Sequence, residues 1–337
     1  MMKFLIKRVA LICIGVELAV CASMVSATPA LEAFNSDHFV EAKNLFLLQL
    51  QQPENKKTAL YYLAAIELSL GEFDKALAST NEALAIEPKL AEEYLLLGKI
   101  YGAKAQSASM FSALGFAKQC LSSFENGYKV DPRNINILDA LIAYHSEAPS
   151  IVGGSQAQRD KYLAELKKIS PDLATVKEIT IFSHQKEQEE ALRLAKDLYA
   201  KKPLDLKVRF FLGLYFKENK LYAEAEDLYE QLIAVPISPG MVRDERWLIT
   251  DSYLQLGEVF LSANQHLDRG VSLVEDFQRK NLDPRHIHYF WSFLSLAKLQ
   301  KANGNMEQYK ILVARINTMN YKGDKYFAKE FEATTKS

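Results

Sequence analysis

Two groups of residues have types that could support metal binding or catalysis. His286 and His288 stand two positions apart, directly after Asp283-Pro284. Residues two apart on a helix point to different faces, so one helix cannot aim both imidazoles at a shared zinc ion. Gly153-Gly154-Ser155 precedes a helical stretch, where backbone N–H groups could hold an anion. The lysine of a phosphate-binding loop is missing, however, and serine is also an ordinary capping residue at the start of a helix.

The other candidate nucleophiles and bases are scattered along the chain. Cys120 takes a small-residue position in a helical pattern, which predicts a buried thiol that acts as a small hydrophobic residue. His145 lies close to the Gly-Gly pair in sequence and leaves one alternative open, a small-molecule site at that loop in an accessory or degenerate enzyme. We otherwise expect no catalytic residue, no metal site and no cofactor, and therefore a protein that is not an enzyme.

The composition is that of an ordinary folded protein. Hydrophobic residues make up 49% and charged residues 25% of the 337 positions, which excludes general disorder and a multi-span membrane protein. The formal net charge of −1 provides no basic surface that could neutralise phosphates. We therefore expect no nucleic-acid partner.

The N-terminus has the pattern of a secretion signal. Lys3, Lys7 and Arg8 precede an apolar run at 9–20, and Val25-Ser26-Ala27 supplies the small residues that a signal peptidase reads. A membrane-spanning helix would need about 20 apolar residues, more than this run offers. We expect residues 1–27 to be a signal peptide, cleaved after Ala27, and the protein to be periplasmic.

A second interpretation of the N-terminus is a lipid anchor. Leu18-Ala19-Val20-Cys21 is similar to a bacterial lipobox, in which Cys21 would be lipidated, although Val20 stands where a small residue is normally required. The alternative location is therefore that of a membrane-anchored lipoprotein. In either case Cys120 is the cysteine that remains in the body of the chain, so an internal disulfide is not expected.

The stretch Lys57–Pro88 has the pattern of a helical hairpin. Apolar residues recur at helical spacing, Gly71 interrupts them, and a second stripe runs on to Pro88. The positions that carry the pattern are Leu60, Leu63, Ala64, Glu67, Ala76, Thr80, Ala83 and Pro88. Ala91–Pro132 restarts it with Tyr94, Leu97, Gly98 and Tyr101.

This spacing resembles the tetratricopeptide repeat (TPR), a helix-turn-helix unit of roughly 34 residues with a closing proline. Prolines that could close such units stand at 53, 88, 132, 171, 203, 236 and 284. The resemblance implies an all-α fold, a right-handed superhelical solenoid of about six to seven TPR-like repeats over residues 28–337, several of them degenerate. A capping helix is expected at 321–333, because the last unit of a solenoid needs a polar outer side.

Two insertions interrupt the repeat pattern. Residues 102–116 are rich in alanine and serine and contain no proline, which predicts longer helices rather than a loop. Residues 146–157 contain the Gly-Gly pair and are expected to form a loop. Either insertion could shape or close a binding groove.

The resemblance also implies a function, since TPR proteins line a concave groove with the first helices of their repeats and hold a peptide or partner protein there. It predicts a non-catalytic protein-binding or scaffolding module of the bacterial cell envelope. The groove positions carried onto this sequence are Tyr61, Leu95, Lys99, Asp139, Phe210, Leu214, Lys217, Trp291 and Lys298. Aromatic anchors among lysines suit a ligand that has apolar side chains and carboxylates. The carboxylate clamp of chaperone-binding TPR proteins is absent, because Tyr61 and Leu95 take its polar positions.

Overall fold

The computed structural model describes residues 28–238, 240–280, 289–319, 321 and 325–336, and the regular elements within these ranges are all helical. The predicted signal peptide with Cys21, and the pair His286 and His288, lie outside the described residues. The described chain divides into two compact units. Unit 1 is Met1–Lys202 with Val242–Asp244, and unit 2 is Pro203–Met241 with Glu245–Ser337.

Unit 1 contains five helical hairpins. Its helices are α1 (Pro29–Asn35), α2 (Phe39–Gln49), α3 (Lys56–Ser69), α4 (Phe73–Leu84), α5 (Ala91–Ser107), α6 (Met110–Val130), α7 (Ile135–Glu147), α8 (Gln156–Ile169), α9 (Pro171–His184) and α10 (Gln188–Ala200). A single 3-10 turn, Ser150–Val152, separates α7 from α8. Each helix packs on the next, and the helices that open successive hairpins, such as α3, α5 and α7, also contact one another.

Unit 2 contains three hairpins and a terminal helix. Its helices are α11 (Leu206–Glu218), α12 (Tyr222–Ile233), α13 (Arg243–Ala263, whose first two residues group with unit 1), α14 (Leu267–Lys280), α15 (Tyr289–Ala302), α16 (Met306–Asn317) and α17 (Lys325–Lys336). Helix α17 packs against α15, the first helix of the preceding hairpin. It occupies most of the range in which the sequence predicts a capping helix.

One turn geometry recurs between the two helices of most hairpins. A residue with positive φ ends the first helix, and the next N–H group donates to the carbonyl oxygen five residues earlier, as Glu72 does to Glu67 at 2.8 Å. This is the Schellman motif, which satisfies carbonyl groups that a helix end leaves unpaired. The positive-φ residues are Asp37, Gly71, Lys186, Lys220, Asn264 and Gly304. Asp37 and Gly71 lie 34 residues apart, as do Lys186 and Lys220, which is the expected repeat length.

The two remaining hairpins are those that carry the insertions. Residues 102–116 extend α5 and α6 to 17 and 21 residues, so the prediction of longer helices is confirmed. In the second insertion the Schellman bonds form around Gly153 at the end of the 3-10 turn, with Gly154 donating to the carbonyl of Pro149 at 3.1 Å. The loop predicted at 146–157 is thus a compact turn.

The cores of the two units are built from aromatic and small residues between helices. In unit 1 the ring of Tyr62 lies 5.0 Å from that of Phe34 and 4.9 Å from that of Phe46, which joins the first three helices. Gly98 allows close packing of α5 on α6, because a Cβ there would lie 2.2 Å from the ring of Phe124. Cys120 is buried in the same hairpin, as predicted.

Candidate functional site

The nine predicted groove residues fall into two groups by exposure. Five side chains are buried: Tyr61, Leu95, Lys99, Asp139 and Phe210. Four are partly exposed and all lie in unit 2: Leu214, Lys217, Trp291 and Lys298. The accessible part of the predicted groove set is therefore carried by α11 and α15.

In unit 1 the predicted positions lie in the contacts between successive first helices. Asp139 on α7 is fully buried, and its carboxylate pairs with the ammonium of Lys177 on α9 at 2.5 Å. Burial also raises the pKa of Tyr61 on α3 well above its usual value. These side chains fix one hairpin against the next, and their role as ligand contacts stays a prediction.

In unit 2 a line of polar side chains crosses successive first helices. The ammonium of Lys217 on α11 donates to Glu258 Oε2 on α13 at 2.8 Å and also to the Gln255 amide oxygen. Ser295 on α15 donates to the other oxygen of Glu258 at 3.0 Å. Glu258 thus links three helices of the unit. We call this set, with the neighbouring Leu214 and Lys298, the first-helix face of unit 2.

The line continues to the terminal helix. Lys298 on α15 pairs with Glu330 on α17 at 2.5 Å, with 28% and 49% of the two side chains exposed. The two lysines of unit 2 that the sequence predicts for carboxylate recognition, Lys217 and Lys298, therefore already hold carboxylates of the chain itself. Sequence reasoning missed Glu258 and Ser295, because their role depends on which helices become neighbours.

The two aromatic groove candidates of unit 2 take part in packing. Phe210 lies 5.2 Å from the ring of Trp247 and 6.1 Å from that of Tyr229. Trp291 lies edge-on to Phe327 of α17, with ring centroids 5.3 Å apart. Of these two, Trp291 keeps part of its surface exposed.

The residues of the Gly-Gly loop have structural partners. Ser155 caps α8 by accepting from the N–H of Gln158 at 3.4 Å. A Cβ on Gly154 would lie 1.7 Å from the carbonyl oxygen of Ala148, so the turn needs glycine there. His145 is buried and stacks on Tyr162 with ring centroids 5.7 Å apart. Burial lowers the pKa of His145, while a contact with the Gly153 backbone acts in the opposite direction.

A surface cleft of about 410 Å³ lies between the α3–α4 turn and the α5–α6 tip. Its lining includes Phe73, Phe116 and the ion pair of Asp74 with Lys104. The sequence gives no sign of this cleft, because it arises where the extended hairpin passes a shorter neighbour.

Across the described residues, no group of three or more His, Cys, Asp or Glu side chains is arranged to hold a metal ion. None of the described helices has the length and apolarity needed to cross a membrane.

Comparison with known proteins finds similarity at the level of fold. No protein-family model matches the chain, and no curated protein matches it. Among solved structures, the chain is similar to TTC0263, a thermophilic TPR protein of Thermus thermophilus, at 21% identity and a TM-score of 0.44, over 54% of this chain and 93% of that one. It is also similar to PilW, a type IV pilus biogenesis factor, at 14% identity and a TM-score of 0.45, over 70% of this chain and 98% of that one.

A third similar structure is the human IFIT1 dimer with PPP-AAAA, at 13% identity and a TM-score of 0.45, over 94% of this chain and 72% of that one. At these levels the neighbours carry no information on a ligand or partner of this chain. The repeat itself is visible in the described helices, which pair into hairpins. Most of these hairpins share one turn geometry, and two pairs of successive turns lie 34 residues apart. The chain thus has a TPR-like fold, an all-α array of helical hairpins.

Proposed function

We propose that the chain is a non-catalytic protein-binding module that holds an extended segment of a partner protein on the first-helix face of unit 2. The observation that carries this proposal is the line of charged and polar side chains from Lys217 through Glu258 and Ser295, with Lys298 next to it. It crosses successive helices, so an extended ligand laid along it would meet the partly exposed Lys217, Glu258 and Lys298 in turn.

The Lys298–Glu330 pair at the end of this face suits exchange with a ligand. Exposed salt bridges contribute only about 0–1 kcal/mol, so a ligand carboxylate can replace Glu330 at Lys298 at little cost. Leu214, one turn before Lys217 on α11, supplies apolar surface beside the lysine. The ligand that fits is therefore a segment with an acidic side chain next to an apolar one.

The proposed location is the bacterial cell envelope. The basic residues, apolar run and small residues of positions 1–27 support export. Mass spectrometry of the protein from cells distinguishes the two forms of the N-terminus. Thr28 as the first residue is expected after signal cleavage, whereas a lipid-modified Cys21 at the N-terminus would indicate the lipoprotein instead.

The binding proposal is tested by site-specific photo-crosslinking in cells. A photoreactive phenylalanine analogue replaces Leu214 in one variant and Ile311 in another. Ile311 is the control, because it is an exposed aliphatic residue on α16, the second helix of its hairpin. We expect a discrete protein adduct from position 214 and none from position 311.

Two outcomes would contradict the proposal. Equal adducts from both positions would show that contact is non-specific. An adduct at position 214 that ribonuclease removes would show that the ligand is RNA, against the expectation from the net charge of −1.

A further inference from the structure

The two insertions of unit 1, which the proposed function does not use, are joined to each other. The hydroxyl of Tyr144 on α7 lies 2.9 Å from the carbonyl oxygen of Ala117 on α6 and 2.9 Å from that of Val152 in the 3-10 turn, so the two oxygens share its single proton. Leu121 on α6 also lies against Gly153. The 3-10 turn is therefore held beside the extended part of α6.

Large apolar side chains project from this joined region. Phe111, in the first turn of α6, is 85% exposed, and Ile151 in the 3-10 turn is 57% exposed. Leu114 and Leu121 are partly exposed, and Lys118 between them is exposed. Phe111, Leu114, Lys118 and Leu121 are spaced so that they share one side of a helix, about 15 Å long at 1.5 Å per residue. We call these four residues and Ile151 the insertion strip.

The insertion strip itself carries one charged side chain, that of Lys118. Residues 94–124 contain three lysines and no Asp or Glu, but Lys99 is buried, so the exposed lysine of the segment is Lys118. Residues 148–159 also contain no acidic residue. Asp74 approaches the hairpin tip, but it is paired with Lys104 there. The strip therefore offers apolar groups and a lysine, and the next carboxylate along the same side of α6 is that of Glu125, one turn beyond Leu121.

We propose that the insertion strip binds the surface of a phospholipid membrane that contains anionic lipids. Phe111 and Ile151 would enter the interface between headgroups and acyl chains, and Lys118 would contact lipid phosphates. The projection of Phe111 into solvent, at 85% exposure, favours a membrane, because the ring can enter the lipid interface without rearrangement of the protein. Membrane contact of this kind is peripheral and needs no spanning helix.

Flotation with vesicles tests this proposal. The chain, purified after processing in cells, is mixed with vesicles of phosphatidylglycerol and phosphatidylcholine, or of phosphatidylcholine alone. We expect binding to the anionic vesicles that weakens as salt is added. Phe111→Ser is expected to weaken it roughly tenfold, because the apolar insertion is lost. Lys118→Gln is expected to weaken it about fivefold, in line with the contribution of one lysine near an anionic surface.

Matched variants elsewhere in the chain serve as controls. Val40→Ser removes an apolar side chain that is 65% exposed on α2, and Lys310→Gln removes an exposed lysine on α16. All variants share one N-terminus, so membrane affinity of that segment cancels in the comparison. Circular dichroism and thermal unfolding check that each variant is folded, as the exposure of these side chains predicts.

The proposal is overturned if the chain ignores anionic vesicles, or if Phe111→Ser and Val40→Ser weaken binding equally. It is also overturned if Phe111→Ser leaves binding to the anionic vesicles unchanged. Unit 2 does not contain the strip, so these results are independent of the crosslinking at Leu214.

Discussion

Aromatic residues at equivalent positions of this chain differ in how far they are exposed. Phe210 and Trp291 both occupy groove positions by their place in the repeat, yet Phe210 is buried while Trp291 is partly exposed. The spacing that identifies such a position does not show how closely the neighbouring helix approaches. Residue type predicted correctly that Cys120 is buried, because a small apolar residue suits a tight helix contact.

Phe210→Ala is expected to destabilise unit 2 by about 3–5 kcal/mol, because it leaves a cavity between Trp247 and Tyr229. Phe111→Ala, at an exposed site in unit 1, is the control and should change the free energy of unfolding by less than about 0.5 kcal/mol. Chemical denaturation measures both. A stable Phe210→Ala variant that has lost partner binding would show that Phe210 contacts the ligand after all.

His145 gives the chain a dependence of stability on pH. Burial lowers the pKa of His145 in the folded protein, while the unfolded chain has the ordinary value near 6.5. As the pH falls through about 6.5, the unfolded state gains a proton that the folded state resists, so the free energy of unfolding decreases. The loss ends once the pH is below the folded-state pKa.

The variant His145→Phe keeps an aromatic ring against Tyr162 and has no group to protonate. We expect its melting temperature to fall less than that of the wild type between neutral and mildly acidic pH. Equal losses in both proteins would assign the pH dependence to other groups. His38→Phe, at an exposed histidine, controls for the change of residue type.

At the scale of elements, helical periodicity predicted the hairpins but not the full burial of several first helices. In α3 the nine residues 59–67 are all buried, and the groove positions there have no exposed side. The sequence did contain a signal, since ALYYLAAIE is apolar around most of the helix, which is typical of a buried helix. The register of polar contacts such as Lys217 with Glu258 could not be predicted, because it depends on helix-to-helix geometry.

The recurring hairpin turn predicts opposite effects for two substitutions. Lys220 has a φ of 62°, so Lys220→Gly should stabilise unit 2 by about 0.5–1 kcal/mol as it removes left-handed strain. Gly304→Ala, at a φ of 79°, should destabilise it by about 1 kcal/mol. Gly115→Ala inside α6 is the control, and should stabilise by about 0.5–1 kcal/mol because alanine favours helix and has open space there. Thermal unfolding measures all three, and the same sign at Lys220 and Gly304 would contradict the turn geometry.

The ion pair between α11 and α13 is expected to couple the two helices. A double-mutant cycle with Lys217→Met and Glu258→Gln should give a coupling energy of about 1 kcal/mol, because both side chains are partly buried. The same cycle at the exposed pair of Lys336 and Glu332 should give a value close to zero. Equal coupling energies at the two pairs would show that the α11–α13 contact gains nothing from its burial.

For the whole molecule, the sequence predicted the all-α repeat fold, because most hairpins repeat a similar apolar spacing and turn. The division into two units was not predicted, since the sequence pattern runs across residue 203 without a change in composition. The two proposed functions belong to different units. We propose protein binding on the first-helix face of unit 2 and membrane contact on the insertion strip of unit 1.

The most direct test of the protein-binding claim is the affinity of the partner crosslinked at position 214 for three purified proteins. These are the wild type, Leu214→Asp and the control Ile311→Asp, each checked for an unchanged melting temperature. We expect Leu214→Asp to weaken binding by about tenfold or more, because it places a charge in the apolar contact and repels the acidic ligand. Ile311→Asp should bind like the wild type. Wild-type affinity in the Leu214→Asp protein would contradict the assignment of the binding surface to the first-helix face of unit 2.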